Sequence, residues 1–219
     1  MSGGPEGDRQ RLLTVLLLVL TVLSGLVDAV SILSLGHVFV ANMTGNLVFV
    51  SLGLAGAPQF SVVTSLVALG GFAVGILFCR AALARLTRPI ALVGVAAVCE
   101  TALLASATAL HALDGPRRVL VVVCAVAMGI QNAMAGRVGV AGLTTTVMTR
   151  TLVGLLSGTG ATAPDRRMAL RQALSVAALV AGALAGGLLV LLVTPPAALG
   201  AATGCALAVA VAATVAARR

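Results

Sequence analysis

The sequence contains no tryptophan, no tyrosine and no lysine, and charged residues make up only 9% of its 219 residues. So few charges exclude the surface of an ordinary soluble domain. The missing tryptophan and tyrosine leave the 14 arginines to mark the membrane–water interfaces. Hydrophobic residues reach 60% and the mean hydropathy is +1.15. The chain is therefore predicted to be a polytopic membrane protein.

Clusters of metal ligands and catalytic motifs are also missing. The four cysteines lie far apart, and His37 and His111 lie near the ends of separate apolar runs. We therefore expect no disulfide framework, no metal site and no cofactor. Neither HExxH nor GxSxG occurs, so an enzyme is not expected. The net charge of +8 is expected to orient the chain in the bilayer, and nucleic acid is not an expected partner.

Long apolar runs divide the chain into candidate spans. Each of six runs is near the length that one crossing requires, at residues 12–35, 61–83, 90–113, 119–135, 170–193 and 197–217. Residues 1–11 precede them and are predicted to be a disordered cytoplasmic tail. Two further segments, 38–57 and 143–162, are long enough to cross but carry several Asn, Thr and Arg side chains. These two segments are ambiguous as spans.

The positive-inside rule distinguishes the two topologies. If both ambiguous segments cross, nine arginines lie inside and four outside; if neither crosses fully, eleven lie inside and two outside. The second arrangement is the more asymmetric. We therefore predict an all-α bundle of about six transmembrane helices plus two re-entrant or broken helices, with both termini cytoplasmic.

Three short patterns recur in the same order along the chain. Residues 25–29 match 129–133 at an offset of 104, 43–48 match 148–153 at an offset of 105, and 71–75 match 182–186 at an offset of 111. They indicate two membrane repeats, 12–113 and 119–217, within one membrane domain. Because the first repeat has three crossings, the second starts from the opposite side, so the repeats are predicted to be inverted. Inverted repeats with discontinuous helices are typical of secondary transporters.

The recurring blocks resemble a known family. The pattern consists of Gly25-x-x-Asp28-Ala29, then Phe39-x-Ala41-Asn42-Met43-Thr44-Gly45-Asn46, then Gly129-Ile130-Gln131-Asn132-Ala133 and a Thr-rich stretch that ends at Met148-Thr149. It is similar to the YoaK family of bacterial integral membrane proteins, over nearly the whole chain. The resemblance implies a multi-pass protein of the bacterial plasma (inner) membrane with about six spans. It implies no substrate, because the family has no established activity.

Two acids lie deep in the apolar runs. Asp28 falls in the first run and Glu100 near the middle of the third, where an uncompensated charge is costly. Thr21, Ser24 and Ser31 share a helical face with Asp28, which predicts that this face points into the bundle. Asp28 either pins the re-entrant backbone or handles a proton or ligand. Glu100 either forms an interhelical hydrogen bond or couples transport to protons.

Uncharged polar residues in the ambiguous segments offer both hydrogen-bond donors and acceptors, which suits a neutral or zwitterionic solute. The predicted solute-binding residues are Asn42, Thr44, Asn46, Gln131, Asn132, Thr146, Thr149 and Arg150. The alternative role of the Asn and Thr side chains is to satisfy the ends of broken helices. Arg150 either binds an anionic group or pairs with one of the two deep acids.

These patterns favour a small-molecule secondary transporter or permease, with proton coupling as one form of it. The alternative is a membrane protein with a structural or interaction role and no transport. The expected partners are the lipid bilayer and an unidentified small solute, and a homodimer is compatible with the sequence.

Overall fold

The computed structural model describes residues 5–140 and 163–218, and all regular structure in these two ranges is helical. The helices are α1 (Pro5–Ser34), α2 (Met43–Leu54), α3 (Val62–Ala82), α4 (Pro89–Ala112), α5 (Arg117–Val138), α6 (Ala163–Leu192) and α7 (Pro195–Ala217). All of them except α2 are long and apolar enough to cross a membrane. The predicted all-α polytopic membrane bundle is therefore confirmed, with six candidate spans in the two described ranges.

The start of α1 corrects the prediction of a disordered tail over residues 1–11. The helix begins at Pro5, so most of that tail is helical. Proline suits the first position of a helix, and Glu6 and Asp8 in the first turn interact favourably with the helix dipole. These residues therefore favour a helix that extends beyond the apolar run.

Short links fix the relative direction of neighbouring spans. Residues 83–88 join α3 to α4, residues 113–116 join α4 to α5, and residues 193–194 join α6 to α7. Six extended residues reach at most about 20 Å, less than the roughly 30 Å of the hydrocarbon core. Each link must therefore stay at one face of the bundle, so α3, α4 and α5 alternate in direction and α6 runs opposite to α7.

Contacts between α4 and α7 show that these two helices are antiparallel. Gly94, near the start of α4, packs against Thr214, near the end of α7. Thr108, near the end of α4, has its hydroxyl 3.2 Å from that of Thr203, in the first half of α7. Helix α4 therefore runs in the same direction as α6.

Contacts between α1 and α6 show that these two helices are parallel. Gly182 packs on the backbone of Val22, and one turn later Gly186 packs on Leu26. Helices α1, α4 and α6 therefore run from one face, which we call face A, to the opposite face B. Helices α3, α5 and α7 run back from face B to face A.

These directions show how the chain passes α2. Helix α1 ends at face B and α3 begins there, so residues 35–61 leave and return to the same face. Helix α2 has 12 residues, about 18 Å at helical rise, and is too short to cross. The six-span prediction requires that the first ambiguous segment, residues 38–57, leave and return at one face in this way. Helix α5 ends and α6 begins at face A; the second ambiguous segment, 143–162, lies outside the described residues.

The α1–α6 and α3–α5 crossings share one contact pattern. In each crossing two glycines lie against backbone carbonyl groups of the other helix, so closely that a Cβ would overlap the carbonyl oxygen. The contact pairs are Gly25 with Leu179 and Gly182 with Val22 between α1 and α6, and Gly129 with Phe72 and Gly75 with Val126 between α3 and α5.

The matching contacts in the two crossings follow a different offset from the third sequence match. The pattern equates Gly75 with Gly182, and Phe72 with Leu179, at an offset of 107 residues. The sequence match had equated Gly71 with Gly182, one helical turn away. Small residues four apart occur on both helices, so sequence alone could not select the turn that makes the contact.

Burial divides the spans into central and peripheral ones. Helices α1 and α5 are the most buried, whereas α6 is the most exposed of the six spans and α3 the next. The exposed side chains of α6 are mainly leucine and valine, including Leu174, Val180, Leu184 and Leu188. A face of this composition suits contact with lipid tails.

Candidate functional site

The chain turns back into the bundle directly after α1. Gly36 and His37 both have positive φ, at 100° and 54°, and left-handed backbone of this kind is common in reversals. Two residues of the returning segment then donate to one carboxylate: the N–H groups of Val40 and Ala41 lie 3.3 and 3.1 Å from Oδ1 of Asp28. Asp28 precedes the end of α1 by six residues, about 9 Å. The segment therefore re-enters the bundle to about that depth.

Asn46, in the first turn of α2, holds the same segment from the other side. Its Nδ2 donates to the Phe39 carbonyl at 2.6 Å, and its Oδ1 accepts from the Phe39 N–H at 2.9 Å. Asn46 is fully buried. Since irregular backbone inside a membrane must have its polar groups satisfied, Asp28 and Asn46 together make the re-entrant turn possible. The pinning alternative thus accounts for the contacts of both side chains.

Asn42 and Thr44 occupy the tip of the re-entrant segment. Asn42 is the N-cap residue of α2, but its side chain makes no capping hydrogen bond to the helix. Its Oδ1 accepts instead from the Thr44 hydroxyl at 2.8 Å. Thr44 is exposed and Asn42 partly exposed. Of the predicted solute-binding residues in this segment, these two present polar groups at the surface of the bundle, whereas Asn46 does not.

A stack of phenylalanine rings supports the segment. Phe49 of α2 stacks on Phe39 with ring centroids 5.5 Å apart and on Phe60, just before α3, at 4.6 Å. The Phe39 ring also covers Gly45, where a Cβ would come within 2.6 Å of Cδ2. Sequence reasoning missed this stack. The available signal was that three of the five phenylalanines fall within residues 39–60.

Gln131 connects the two central helices. Its Nε2 donates to the Ser24 hydroxyl at 2.8 Å and to the Leu20 carbonyl at 3.3 Å. Its Oε1 is buried and has no hydrogen-bond partner among the described residues. The predicted polar face of α1 is confirmed here, because Thr21, Ser24 and Ser31 are all buried. Gln131 therefore lies against α1 rather than at the re-entrant tip.

The other predicted residues fall in three places. Asn132 follows Gln131 on α5 and is partly buried. Glu100 is 1% exposed in α4, which packs on α5 and α7, so it belongs to a different set of helix contacts from Asp28. Thr146, Thr149 and Arg150 lie outside the described residues. The predicted approach of Asn42, Thr44 and Asn46 to Thr146, Thr149 and Arg150 therefore stays a prediction.

Comparisons with known proteins identify relatives of the chain. The family described as "Protein of unknown function (DUF1275)" matches residues 16–212. A curated relative, "UPF0700 transmembrane protein YoaK" of Bacillus subtilis (strain 168), is 35% identical over 145 residues, which are 64% of this chain and 64% of that protein. The matched region thus spans somewhat less than two thirds of the relative. No solved structure matches the chain.

Proposed function

Since the chain belongs to the DUF1275 family, whose description names no activity, we propose a function from its own geometry. The protein is a secondary transporter or permease for a small polar solute, built from two inverted repeats. The first repeat contains α1 to α4 and the second α5 to α7. The observation that carries this proposal is the shared contact pattern of the α1–α6 and α3–α5 crossings.

The helix directions support the inverted repeat. Helices α1, α3 and α4 correspond in order to α5, α6 and α7, and each helix runs opposite to its counterpart. The α4–α7 contact fits the same relation: Gly94 lies against Thr214, and Gly200 lies closest to Thr108. An offset of 106 residues relates Gly94 to Gly200 and Thr108 to Thr214. Exchanging the two halves therefore converts one contact pair into the other. One pseudo-two-fold axis in the membrane plane therefore relates all three helix pairs.

The inverted arrangement also suggests the moving parts. Each glycine-mediated pair, α1 with α6 and α3 with α5, combines one helix from each half and brings the backbones into contact. We expect each pair to move as a unit. The Gln131 side-chain contact with Ser24 joins the pairs without such close backbone packing. Alternating access would then proceed by rocking of one pair against the other.

The re-entrant tip supports a solute site in the first half. Asn42 and Thr44 offer an amide and a hydroxyl beside the N-terminus of α2, whose positive dipole end lies close to the Asp28 carboxylate. Because Asp28 offsets that dipole, the tip favours a neutral group or the cationic end of a zwitterion over an anion. In the second half, Arg150 remains the predicted partner for an anionic group.

The arginines support one orientation in the membrane. Ten arginines in the described ranges lie at face A and two, Arg117 and Arg118, at face B; those at face A are Arg9, Arg11, Arg80, Arg85, Arg88, Arg137, Arg166, Arg167, Arg171 and Arg218. By the positive-inside rule face A is cytoplasmic. We propose the bacterial plasma membrane as the location.

A thermal-shift screen of the purified protein over metabolite classes at two pH values tests the proposal. A bound solute at 100 times its Kd stabilises the folded state by about 2.7 kcal/mol, so a true ligand raises Tm. Asn42→Ala and Thr44→Ala should abolish that shift without lowering the Tm of the free protein. Uptake of the same solute into proteoliposomes must follow. A solute that shifts Tm equally in wild type and both variants would contradict the proposed site.

A structural role without transport is the second candidate function. It is favoured by the observation that the side chains of Asp28 and Asn46 hold backbone groups of residues 39–41 through four hydrogen bonds. The two functions differ in one outcome: a structural protein shows no saturable uptake of any solute that binds it.

A further inference from the structure

Glu100 lies at the middle of its span. Helix α4 runs from Pro89 to Ala112, so Glu100 is about 17 Å from either end at helical rise. This distance places the carboxyl near the midplane of the bilayer. Glu100 is only 1% exposed, and neither carboxyl oxygen has a hydrogen-bond partner among the residues that the structure describes. These oxygens therefore hold no part of the described fold in place.

The neighbours of Glu100 on α4 are apolar. Ala96, Ala97 and Leu104, which are three or four residues away and therefore share its helix face, are all buried. The titratable and charged side chains on α4 and on the two helices packed against it are Cys99 and His111 on α4, Arg117, Arg118, Cys124 and Arg137 on α5, and Cys205 on α7, with Arg218 just beyond its end. All the arginines in this set are at helix ends, so none is at the level of Glu100.

The other half has no carboxyl at the equivalent position. The offset of 106 that relates α4 to α7 pairs Glu100 with Ala206, which is fully buried. The helix crossing can therefore be packed with a small apolar residue. Packing at this helix crossing therefore does not require the carboxyl group of Glu100.

The described helices bring no counter-ion to Glu100, and an unpaired charge at this depth is strongly disfavoured. A metal ion would need several oxygen ligands around it, and Glu100 supplies two from one carboxyl. A proton needs no further ligand, because it converts the group into a neutral acid. We propose that Glu100 is a proton-binding site at the α4–α7 crossing, and that this proton couples transport to the proton gradient. The second part of this proposal rests on the proposed transport function; the first part does not.

Infrared spectroscopy of protein labelled with [¹³C]glutamate tests proton binding directly. The chain has only two glutamates, Glu6 and Glu100, and a protonated carboxyl has a C=O stretching band that a carboxylate lacks. At pH 7 in lipid we expect an isotope-shifted band of this kind in wild type and in the Glu6→Gln control. The band should be lost in Glu100→Gln. A wild type without the band, or a Glu100→Gln variant that retains it, overturns the proposal.

Uptake assays test the coupling separately. Once a transported solute is known, Glu100→Gln in proteoliposomes should keep downhill uptake and lose its stimulation by an inward proton gradient. Gradient-stimulated uptake that is unchanged in Glu100→Gln would overturn the coupling while leaving the proton site intact. Failure to find any transported solute would count against the proposed function alone, because the infrared result does not depend on transport.

Discussion

At the scale of single residues, the re-entrant turn depends on two side chains that satisfy backbone groups inside the bundle. Asp28 accepts two N–H groups, and Asn46 pairs with both polar groups of Phe39. Sequence reasoning identified both residues as unusual, because polar groups in apolar runs need partners. It could not choose between a ligand and the chain's own backbone, since both present the same hydrogen-bonding groups.

Replacing Asp28 distinguishes its role as a hydrogen-bond acceptor from the role of its negative charge. Asp28→Asn keeps an oxygen that can accept from Val40 and Ala41, so we expect a Tm near that of wild type. Asp28→Ala leaves two N–H groups unsatisfied, at about 1–3 kcal/mol each, and should lower Tm clearly. Thermal unfolding in detergent checks both variants. An Asp28→Asn protein as unstable as Asp28→Ala would show that the charge itself holds the turn.

Asn46 and Asn42 form a matched pair for the same segment. Asn46→Ala removes both hydrogen bonds to Phe39 and should lower Tm, whereas Asn42→Ala removes only an acceptor for the neighbouring Thr44 hydroxyl and should leave Tm nearly unchanged. Circular dichroism melts of the purified variants measure the difference. Equal destabilisation by the two changes would contradict the assignment of Asn46 to structure and Asn42 to the exposed tip.

At the scale of helices, the glycines decide which faces meet. A Cβ on Gly129 would overlap the Phe72 carbonyl, whereas one on Gly70 would have no heavy atom within 4 Å. Gly129→Ala must therefore push α5 away from α3 and should reduce the yield of folded protein severalfold. Gly70→Ala is the control and should fold normally. Size-exclusion chromatography of detergent extracts gives the readout, and a well-folded Gly129→Ala protein would contradict the close crossing.

The same reasoning predicts equal sensitivity in the other half. Gly182→Ala, equivalent to Gly75→Ala, should be as damaging, because both glycines lie against a carbonyl of a central helix. Gly187, with no heavy atom within 4 Å of an added Cβ, serves as the control on α6. A large difference in folded yield between Gly75→Ala and Gly182→Ala would contradict the equivalence of the two crossings.

The helices also show which features of the fold could be predicted from the sequence. Run length and hydropathy located all six spans, because a crossing has a nearly fixed length. The prediction of a disordered tail was wrong for residues 5–11, since the acids Glu6 and Asp8 in the first turn favour a helix there despite the polar composition. The third sequence match differs by one helical turn from the offset that the glycine contacts give, because several glycines fit the sequence pattern and only packing selects one. The phenylalanine stack depends on the path of the re-entrant chain, which periodicity does not describe.

At the scale of the whole molecule, the relation between the two halves depends on the directions in which the helices cross the bundle. Six spans follow from composition, but inverted halves require that residues 35–61 leave and return at one face. The distribution of arginines predicts this return, since arginines separate most completely between the faces when this segment does not cross. In the described helices, the close contacts between spans and the short links lead to the same arrangement.

Labelling of single cysteines tests most directly that residues 35–61 leave and return at one face. In a variant with Cys79, Cys99, Cys124 and Cys205 replaced, one new cysteine would be introduced as Gln59→Cys, Leu113→Cys or Arg85→Cys, all at exposed positions in links. With a membrane-impermeant maleimide, residues 59 and 113 should label in intact cells and residue 85 only in inverted vesicles. If residue 59 instead labels together with residue 85, the first segment crosses the membrane and the two halves are not inverted.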